Sequence, residues 1–208
     1  MTDKKLYIYG AGGHAKVVAN AARLSGYEIA GFWEDSDERC GTEFFGSKLI
    51  SFQDIPVGAN IFIAFGDNRL REAKGRVLAE KFRIVNIIHP SAQVASEVEL
   101  GQGIYIAALS NIDPCCKLED FCIVNNNANI SHDTILHSGC HICGGGMIAG
   151  NCEVGSRVLF GIGSTMIEQC KIGDDTIIGA GSAVIKDIPA NVMAAGVPAK
   201  VIKKIENK

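Results

Sequence analysis

Hydrophobic and polar positions follow one pattern before about residue 90 and a different one after it. In the first part, short apolar runs that end in glycine or polar residues alternate with longer segments of helical periodicity. In the second part, an apolar residue recurs at every sixth position. We therefore expect two domains, one over residues 1–90 and another that begins at residue 91.

The first ninety residues predict a small parallel α/β domain. Apolar runs typical of β-strands are LYIYG, YEIAGFW, IFIAFG and RIVNII. Helical periodicity covers residues 14–25, after the first run, and residues 68–81, before the last. Strands that alternate with helices favour a parallel sheet with crossover helices, which is a Rossmann-like arrangement.

The second part is a strict repeat of six residues. The large apolar positions are Val94, Leu100, Ile106, Ile112, Leu118, Val124, Ile130, Leu136, Ile142, Ile148, Val154, Phe160, Met166, Ile172, Ile178 and Val184. Four places after each comes a residue that is neither charged nor aromatic, and usually small. This hexapeptide pattern is typical of a parallel β-helix, in which stacked coils bury a continuous narrow core. Glycines that follow large positions, such as Gly101 and Gly155, indicate tight corners.

The repeat accounts for most of the eight cysteines. The five at the small inward position are Cys116, Cys122, Cys140, Cys152 and Cys170. A buried free cysteine behaves as a small hydrophobic residue, so we expect these five to pack in the core. Disulfide bonds are not expected, because no export signal is recognisable and a reducing compartment keeps thiols free.

Charge and composition narrow the choice of partners. Lys and Arg total 20 against 23 Asp and Glu, a net charge of −3, so no overall basic field indicates nucleic-acid binding. No window approaches the roughly 18 apolar residues of a membrane span. The segment MTDKKLYIYG has too short an apolar run for a signal peptide, and we expect a cytoplasmic protein.

A phosphate-binding motif opens the first predicted helix. Gly10, Gly12 and Ala15 match the relaxed fingerprint G-x-G-x-x-A, and Glu34 and Asp35 follow about twenty residues later. Glycine allows backbone amides at a helix N-terminus to approach phosphate. The α/β domain is only about half of a two-lobed dinucleotide fold, so one nucleotide fits better than a nicotinamide cofactor.

These features together resemble one family. The motifs are YIYGAGGHAKVV at the N-terminus, NIIHPSA at the junction, SHD within the repeat, and IGDDTIIGAGSAVIKDIP with AAGVPAK near the end. The chain resembles the hexapeptide-repeat sugar acetyltransferases, in particular the UDP-4-amino-sugar N-acetyltransferases and the sialic acid O-acetyltransferases. The resemblance implies a left-handed parallel β-helix over residues 91–189, a C-terminal tail over residues 190–208, and a homotrimer with active sites between subunits.

The resemblance also implies an activity. We expect an acetyl-CoA-dependent N-acetyltransferase that acts on the 4-amino group of a nucleotide-linked amino sugar in surface-glycan biosynthesis, with UDP as the expected carrier. Acetyl-CoA is the co-substrate, and no metal, nucleic acid or membrane is expected as a partner. One alternative is O-acetylation of a sialic acid or another sugar. The other is a non-catalytic nucleotide-binding scaffold trimer, because the fold alone does not determine the substrate.

The family's catalytic base corresponds to His132, with Asp133 as the carboxylate that orients it. A histidine that titrates near neutral pH suits removal of a proton from the attacking amine or hydroxyl. Three hexads close one coil, so residues 18 apart should stack about 4.8 Å apart. Gly150 then lies above His132, leaves room for the thioester, and offers its N–H to the developing oxyanion.

The family's acetyl-CoA contacts map onto His141, Ile162 and Ala180, together with Gly150. The same register stacks Gly144, Ile162 and Ala180 in one column along an edge of the β-helix. Small and apolar residues there suit the extended pantetheine arm. The residues that the family implies for the nucleotide are Gly12, Gly13, His14, Glu34, Asp35, Gly66, Asn68 and Arg69.

The residues of the repeat also suggest two chemistries other than direct transfer. Residues that suggest a zinc site are Cys140, His141, Cys143, His132 and His137. Tetrahedral coordination needs convergent ligands, however, and the register directs Cys140 into the core. Covalent catalysis by Cys143 or Cys115 would need an activating base beside the thiol. We therefore expect direct transfer without a metal.

Overall fold

The computed structural model describes residues 4–206 of the chain. They belong to two compact units, Met1–Pro90 and Ser91–Lys208. Within the described range, no helix is both long and apolar enough to cross a membrane.

The first unit is a parallel α/β sheet, as the sequence predicts. Its elements are β1 (Lys5–Tyr9), α1 (Gly13–Leu24), β2 (Glu28–Trp33), β3 (Glu43–Phe44), β4 (Ser47–Lys48), β5 (Asn60–Ile63), α2 (Asn68–Leu78), β6 (Arg83–Ile84) and β7 (Ile87–Ile88). The sheet order is β2-β1-β5-β6, with all pairs parallel. Strands β3 and β4 form a separate antiparallel pair. The predicted helix over 68–81 ends at Leu78, and the last predicted strand is divided into β6 and β7.

The central strands of this unit are buried because helices cover the sheet. Strand β5 is buried along its whole length, and Leu6 and Ile8 of β1 have no exposed surface. Helix α1 presents small residues to the core, including the fully buried Ala15 and Ala19. This close packing brings the start of α1 to the carboxyl ends of the strands, where ligands bind in such folds.

The second unit is a parallel β-helix whose strands are two residues long. They are β8 (Gln93–Val94), β9 (Glu99–Leu100), β10 (Tyr105–Ile106), β11 (Asn111–Ile112), β12 (Lys117–Leu118), β13 (Ile123–Val124), β14 (Asn129–Ile130), β15 (Ile135–Leu136), β16 (His141–Ile142), β17 (Met147–Ile148), β18 (Glu153–Val154), β19 (Leu159–Phe160), β20 (Thr165–Met166), β21 (Lys171–Ile172), β22 (Ile177–Ile178) and β23 (Ala183–Val184). Partner residues lie 18 apart, as in Ile123 with His141 and His141 with Leu159. One coil is therefore three hexads, as predicted.

The core of the β-helix follows the repeat. All the large apolar positions from Ile106 to Val184 are buried, whereas Val94 and Leu100, in the first coil, are half-exposed. Hydroxyl groups at the small position bond to backbone carbonyls: Ser164 donates to Gly179 at 2.8 Å and Thr134 to Ala149 at 3.1 Å. Polar side chains are thus accommodated inside because each finds a backbone acceptor.

The corners are built differently from the sequence expectation. Gly101 and Gly155 do not have a positive φ; the left-handed positions come two residues later, at Gly103 and Arg157. A Cβ on Gly155 would lie 2.4 Å from the Asp174 carboxylate and 2.6 Å from its backbone nitrogen. Glycine is required at such positions because the next coil approaches closely, not because the backbone turns there.

The segment expected to be a C-terminal tail is ordered into two strands. Strand β24 (Val192–Gly196) pairs in parallel with β22, and β25 (Ala199–Lys204) returns antiparallel to β24. The hairpin therefore continues one face of the β-helix beyond its last coil.

Candidate active site

His132 and Asp133 lie at a corner of the β-helix, just after β14. Asp133 adopts a left-handed conformation with φ 57°. Its Oδ2 lies 2.8 Å from Nδ1 of His132. An Nδ1–H that donates to this carboxylate leaves the lone pair on Nε2, so Nε2 is the atom able to accept a proton. The two side chains are 58% and 52% exposed, which makes them accessible to a substrate.

Gly150 stacks on His132 one coil later, as the spacing predicts. A Cβ at Gly150 would lie 2.6 Å from Cε1 and 2.7 Å from Nε2 of the imidazole. The space next to Gly150, which we expected to hold the thioester, is therefore filled by the ring of His132 itself. Glycine is needed here because any side chain would displace the ring.

The backbone around Gly150 bonds to neighbouring coils. The N–H of Ala149 donates to Met166 and that of Asn151 donates to His132, at 3.0 and 2.9 Å. The Gly150 amide lies between these two ladder bonds, close to the imidazole. Because Gly150 itself contacts the His132 ring, its N–H is the candidate donor to the oxyanion that develops near that ring.

His141 is held by an asparagine on the preceding coil. Oδ1 of Asn125 accepts the N–H of Asn126 at 2.8 Å, which directs Nδ2 of Asn125 toward Nε2 of His141 at 3.2 Å. Because an amide Nδ2 can only donate, Nε2 of His141 accepts and its proton resides on Nδ1. The ring is half-buried on strand β16.

Gly144, Ile162 and Ala180 form a column along one edge, as predicted. The carbonyl of Gly144 accepts the N–H of Gly163 at 3.0 Å, and that of Ile162 accepts the N–H of Gly181 at 2.8 Å. Ile162 is 66% exposed, and Ala180 is also exposed. The edge therefore presents apolar surface to solvent, which suits an aliphatic ligand arm.

The cysteines have the predicted arrangement. Residues Cys116, Cys122, Cys140, Cys152 and Cys170 are all buried and free. Cys140 points inward, and its thiol donates to the carbonyl of Gly155 at 2.9 Å, so it does not converge with the surface histidines. Burial raises the pKa of the Cys143 thiol, which lowers its thiolate fraction at neutral pH. Across residues 4–206 no group of three or more His, Cys, Asp or Glu side chains is arranged so that it could hold a metal ion.

His137 belongs to an ionic cluster on another part of the β-helix surface. Its Nδ1 lies 3.3 Å from Glu119, and its Nε2 lies 3.1 Å from Glu153, which also binds Lys171 at 2.8 Å. Burial alone would lower the pKa of His137, but the Glu153 hydrogen bond and the Glu119 charge outweigh it and raise the pKa. This cluster explains the histidine without any catalytic or metal role.

In the α/β unit, a cavity of about 480 Å³ lies at the carboxyl ends of the strands, and we call it the glycine cavity. Its lining includes Gly12, Gly13, His14, Glu34, Asp35 and Gly66, all predicted from the sequence. A Cβ on Gly12, Gly13 or Gly66 would meet no other atom within 4 Å. Packing therefore does not require glycine at these positions, and the bare backbone leaves the α1 N-terminus open to an anion.

His14 is neutral in this cavity at physiological pH. Burial, and then the positive charge of Arg71, lower the pKa of His14 to about 4. Arg71 is fully buried and donates to the carbonyls of Phe65 and Gly66, at 3.0 and 3.4 Å. The imidazole thus offers a ligand hydrogen bonds but no charge. Arg71 holds the turn at Phe65 and Gly66 through its hydrogen bonds to their carbonyls.

Asn68 and Arg69 occupy the first turn of α2, after the cavity-lining Asp67 and before Leu70. Asn68 accepts a hydrogen bond from Arg71 at 2.9 Å, and Asp67 caps the helix by accepting the N–H of Leu70 at 2.8 Å. The structure thus gives Asn68 a part in holding the turn, in addition to any contact with a ligand.

A second cavity, of about 460 Å³, adjoins the glycine cavity and shares Glu34 and Asp35 with it. We call it the aromatic slot, and its principal residues are Tyr9, Trp33, Asp35, Phe52, Lys74 and Val77. Sequence reasoning missed it, because its residues come from four separate segments of the chain. The one local signal was the aromatic Trp33 immediately before the acidic pair.

The chain is similar to a known domain family and to solved structures of acetyltransferases. Residues 5–77 match the model of the PglD N-terminal domain. PerB from Caulobacter crescentus, in complex with CoA and GDP-perosamine, is 35% identical, with 96% of this chain and 97% of that chain covered and a TM-score of 0.88. The acetyltransferase domain of PglB from Neisseria gonorrhoeae, in complex with acetyl coenzyme A, is 31% identical over 96% and 100% of the two chains, with a TM-score of 0.87.

Curated relatives match a shorter stretch. The carnitine operon protein CaiE from Salmonella newport is 32% identical over 132 residues, which are 58% of this chain and 65% of CaiE. The uncharacterized protein L142 of Acanthamoeba polyphaga mimivirus is also 32% identical, but only 26% of its length is covered. The solved structures, by contrast, match over nearly the full length of both chains. On that evidence the chain belongs to the hexapeptide-repeat sugar acetyltransferases, whose β-helix is left-handed.

Proposed function

We propose that this protein transfers the acetyl group of acetyl-CoA to the 4-amino group of a nucleotide-linked amino sugar. The observation that carries the proposal is the exposed His132–Asp133 pair, with a 2.8 Å hydrogen bond, packed against Gly150 in the β-helix. The glycine cavity of the α/β unit adds a site suited to the phosphates of a nucleotide. PerB and the acetyltransferase domain of PglB, which this chain matches over 97% and 100% of those chains, are seen with CoA and GDP-perosamine and with acetyl coenzyme A respectively.

His132 acts as the general base in this proposal. The sugar amine attacks the thioester carbonyl, and its proton passes to Nε2 of His132. The carbon–sulfur bond then breaks, and CoA leaves as a thiolate that takes up a proton. Asp133 accepts the Nδ1–H hydrogen bond throughout and stabilises the imidazolium that forms.

The remaining contacts position the acetyl donor. The Gly150 N–H donates to the oxygen on which negative charge develops. The exposed apolar edge at Gly144, Ile162 and Ala180 receives the pantetheine arm, and His141 contacts the acetyl-CoA near the thioester. Acylation of Cys143 is disfavoured, because its raised pKa lowers the amount of the thiolate that attack would need.

The nucleotide diphosphate binds over the N-terminus of α1, where the Gly12 and Gly13 amides and the helix dipole favour an anion. His14 lies beside it as a neutral hydrogen-bonding group. Glu34 and Asp35 accept hydrogen bonds from the ribose and base side of the ligand. The family resemblance suggested UDP, whereas the PerB complex holds a GDP-linked sugar.

The protein works in the proposal as a homotrimer in the cytoplasm, within surface-glycan biosynthesis. These features rest on the family resemblance. Light scattering should then report a particle of about three times the 22.1 kDa chain mass. A monomer at enzymatic concentrations would contradict active sites formed between subunits.

The chemical class of the product tests amine against hydroxyl transfer. The protein is incubated with acetyl-CoA and a nucleotide-linked 4-amino sugar, and the sugar product is followed by mass spectrometry. We expect one added acetyl group that survives mild alkali, because an amide resists conditions that hydrolyse an ester. An alkali-labile acetyl group would show O-acetylation, and a product without acetyl would exclude the transferase.

A further inference from the structure

The aromatic slot has the position of a nucleobase site. It shares Glu34 and Asp35 with the glycine cavity, where the proposed function places the phosphates. In a nucleotide, the ribose lies between the phosphates and the base. A ligand that starts at the α1 N-terminus and passes the two acids therefore extends its base into the slot.

The slot offers apolar surface for a flat ring. Its back wall is the stacked pair of Tyr9 and Trp33, whose ring centroids are 4.7 Å apart with planes 8° from parallel. Both rings are almost completely buried, so they form the wall but expose little surface on which a base could stack. Phe52 and Val77, which are 40% and 67% exposed, provide the accessible apolar faces.

The charged groups that line the slot are mainly carboxylate acceptors. Asp35 is held by the hydroxyl of Tyr9 and by Lys74, whose Nζ lies 3.2 Å from both carboxylate oxygens. The Asp35 side chain is still 67% exposed, so a ligand can reach it. A second carboxylate, Asp37, accepts from the Ser51 hydroxyl at 3.4 Å. Lys74 is the cationic donor among the residues that line the slot.

The hydrogen bond from Tyr9, followed by that from Lys74, keeps the pKa of Asp35 below its usual value despite partial burial. The carboxylate is therefore ionised at physiological pH and acts only as an acceptor. Its partner on a base must supply N–H groups.

We infer that the aromatic slot selects guanine, so that the sugar substrate is carried by a guanosine diphosphate. This inference rests on the proposed function, which places a nucleotide sugar at this site. Guanine presents two adjacent donors, N1–H and the 2-amino group, which match the two oxygens of Asp35. Its O6 is an acceptor that Lys74 reaches by a rotation of its flexible stem.

Other bases fit this arrangement less well. Uracil has one N–H between two carbonyl acceptors, so a carboxylate that binds the N–H faces a carbonyl lone pair with its second oxygen. Adenine presents an acceptor, N1, where guanine presents a donor. A base that approaches Asp35 without two donors displaces water from the carboxylate and returns fewer hydrogen bonds, which lowers affinity and is the basis of selection against both. Guanosine thus replaces uridine as the carrier that we expect.

Calorimetry with free nucleotides tests the inference on the unmodified full-length protein. We expect GDP to bind about tenfold or more tightly than UDP or ADP. Inosine diphosphate, which lacks only the 2-amino group, should bind about tenfold more weakly than GDP. Equal or tighter binding of UDP, or no difference between GDP and inosine diphosphate, would overturn guanine selection.

The variant Asp35→Asn separates a base contact from a ribose contact. An amide replaces one acceptor by a donor, and this matches xanthine, whose 2-position is a carbonyl. We expect the variant to lose affinity for GDP by about tenfold or more and to prefer xanthosine diphosphate over GDP. Asp54→Asn, an equal change of charge at an exposed carboxylate that is not among the slot residues, should keep the GDP preference of the unmodified protein.

Equal weakening of GDP, UDP and xanthosine diphosphate in Asp35→Asn would assign Asp35 to the ribose and overturn the inference. Failure of the inference is also distinguishable from failure of the proposed function. Acetylation of a UDP-linked amino sugar together with tight UDP binding would refute guanine and keep the transferase. Selective GDP binding without CoA release from any nucleotide-linked amino sugar would keep guanine and refute the transferase.

Discussion

The imidazole of His132 has the geometry of a general base. Asp133 accepts the hydrogen bond from the Nδ1–H, and Gly150, which has no side chain, leaves room for the ring. The family resemblance indicated His132 and Asp133, and the period of 18 residues indicated Gly150, because it fixes which positions stack. The sequence could not indicate that the ring of His132 fills the space next to Gly150, since rotamers depend on local contacts that the repeat does not specify.

Replacing His132 by alanine should lower the turnover number by about a hundredfold or more, because the proton acceptor is lost. The fold should be unaffected, since the side chain is exposed. Asp133→Asn should have a smaller effect, because it retains a partner for the ring and removes only the charge. Initial rates and thermal melting of both variants provide the measurement. Turnover by His132→Ala near that of the unmodified protein would refute the general-base role.

Gly150→Ala tests the stacking contact. The new methyl carbon would lie within 2.7 Å of two imidazole atoms, so the ring must move off its site. We expect the turnover number to fall by at least about tenfold, while the Michaelis constant for the nucleotide sugar changes little. Steady-state kinetics with both substrates varied gives the comparison. An unchanged turnover number would show that ring position is not important.

At the scale of single elements, the two halves of the chain differ in how far sequence determines structure. The hexad repeat predicts each strand of the β-helix, because large apolar residues such as Leu136 and Ile142 can only face the core. The aromatic slot of the α/β unit could not be predicted, since Tyr9, Phe52 and Lys74 meet only through tertiary packing. The C-terminal hairpin was missed because its segment departs from the six-residue period.

A matched pair of leucines tests the inward register. Leu136 is fully buried, and Leu109 is 65% exposed at a corner of the same β-helix. Leu136→Ala should reduce the free energy of unfolding by about 2–5 kcal/mol through lost burial and a cavity. Leu109→Ala should change it by about 0.5 kcal/mol or less. Urea unfolding measures both; similar losses for the two variants would contradict the assigned register.

The ionic cluster of His137 predicts a dependence of stability on pH. Its raised pKa means that the protonated ring is stabilised in the folded state between Glu119 and Glu153. The contribution is fully present below the ordinary histidine pKa of about 6.5 and is lost as the pH rises through the raised folded value. The pKa of Glu153 is lowered by Lys171 and then by His137, so this partner stays ionised into the acidic range.

His137→Gln should therefore destabilise the protein most near pH 6, by a few tenths to about 1 kcal/mol because the cluster is partly exposed. The difference from the unmodified protein should shrink as the pH rises above neutral and as salt is added. Urea midpoints at a series of pH values make the comparison. A difference that is constant with pH would mean that the cluster does not act through protonation.

At the scale of the whole molecule, one chain contains both a Rossmann-like α/β unit and a β-helix of the acetyltransferase family. Relatives that are similar over nearly their entire length combine the same two parts, and the PerB structure holds CoA and a nucleotide-linked amino sugar together. The combination, more than either unit alone, supports transfer to a nucleotide-linked sugar. A β-helix by itself would leave the acceptor undefined.

Release of free CoA thiol from acetyl-CoA is the most direct measurement of this account. The acceptors to compare are GDP-, UDP- and dTDP-linked 4-amino sugars and CMP-sialic acid, with acetyl-CoA alone as the blank. We predict stoichiometric release with a nucleotide-linked 4-amino sugar, and none with CMP-sialic acid or without an acceptor. CoA release only with CMP-sialic acid would contradict the proposed function. Absence of CoA release with every acceptor in the panel would also contradict it.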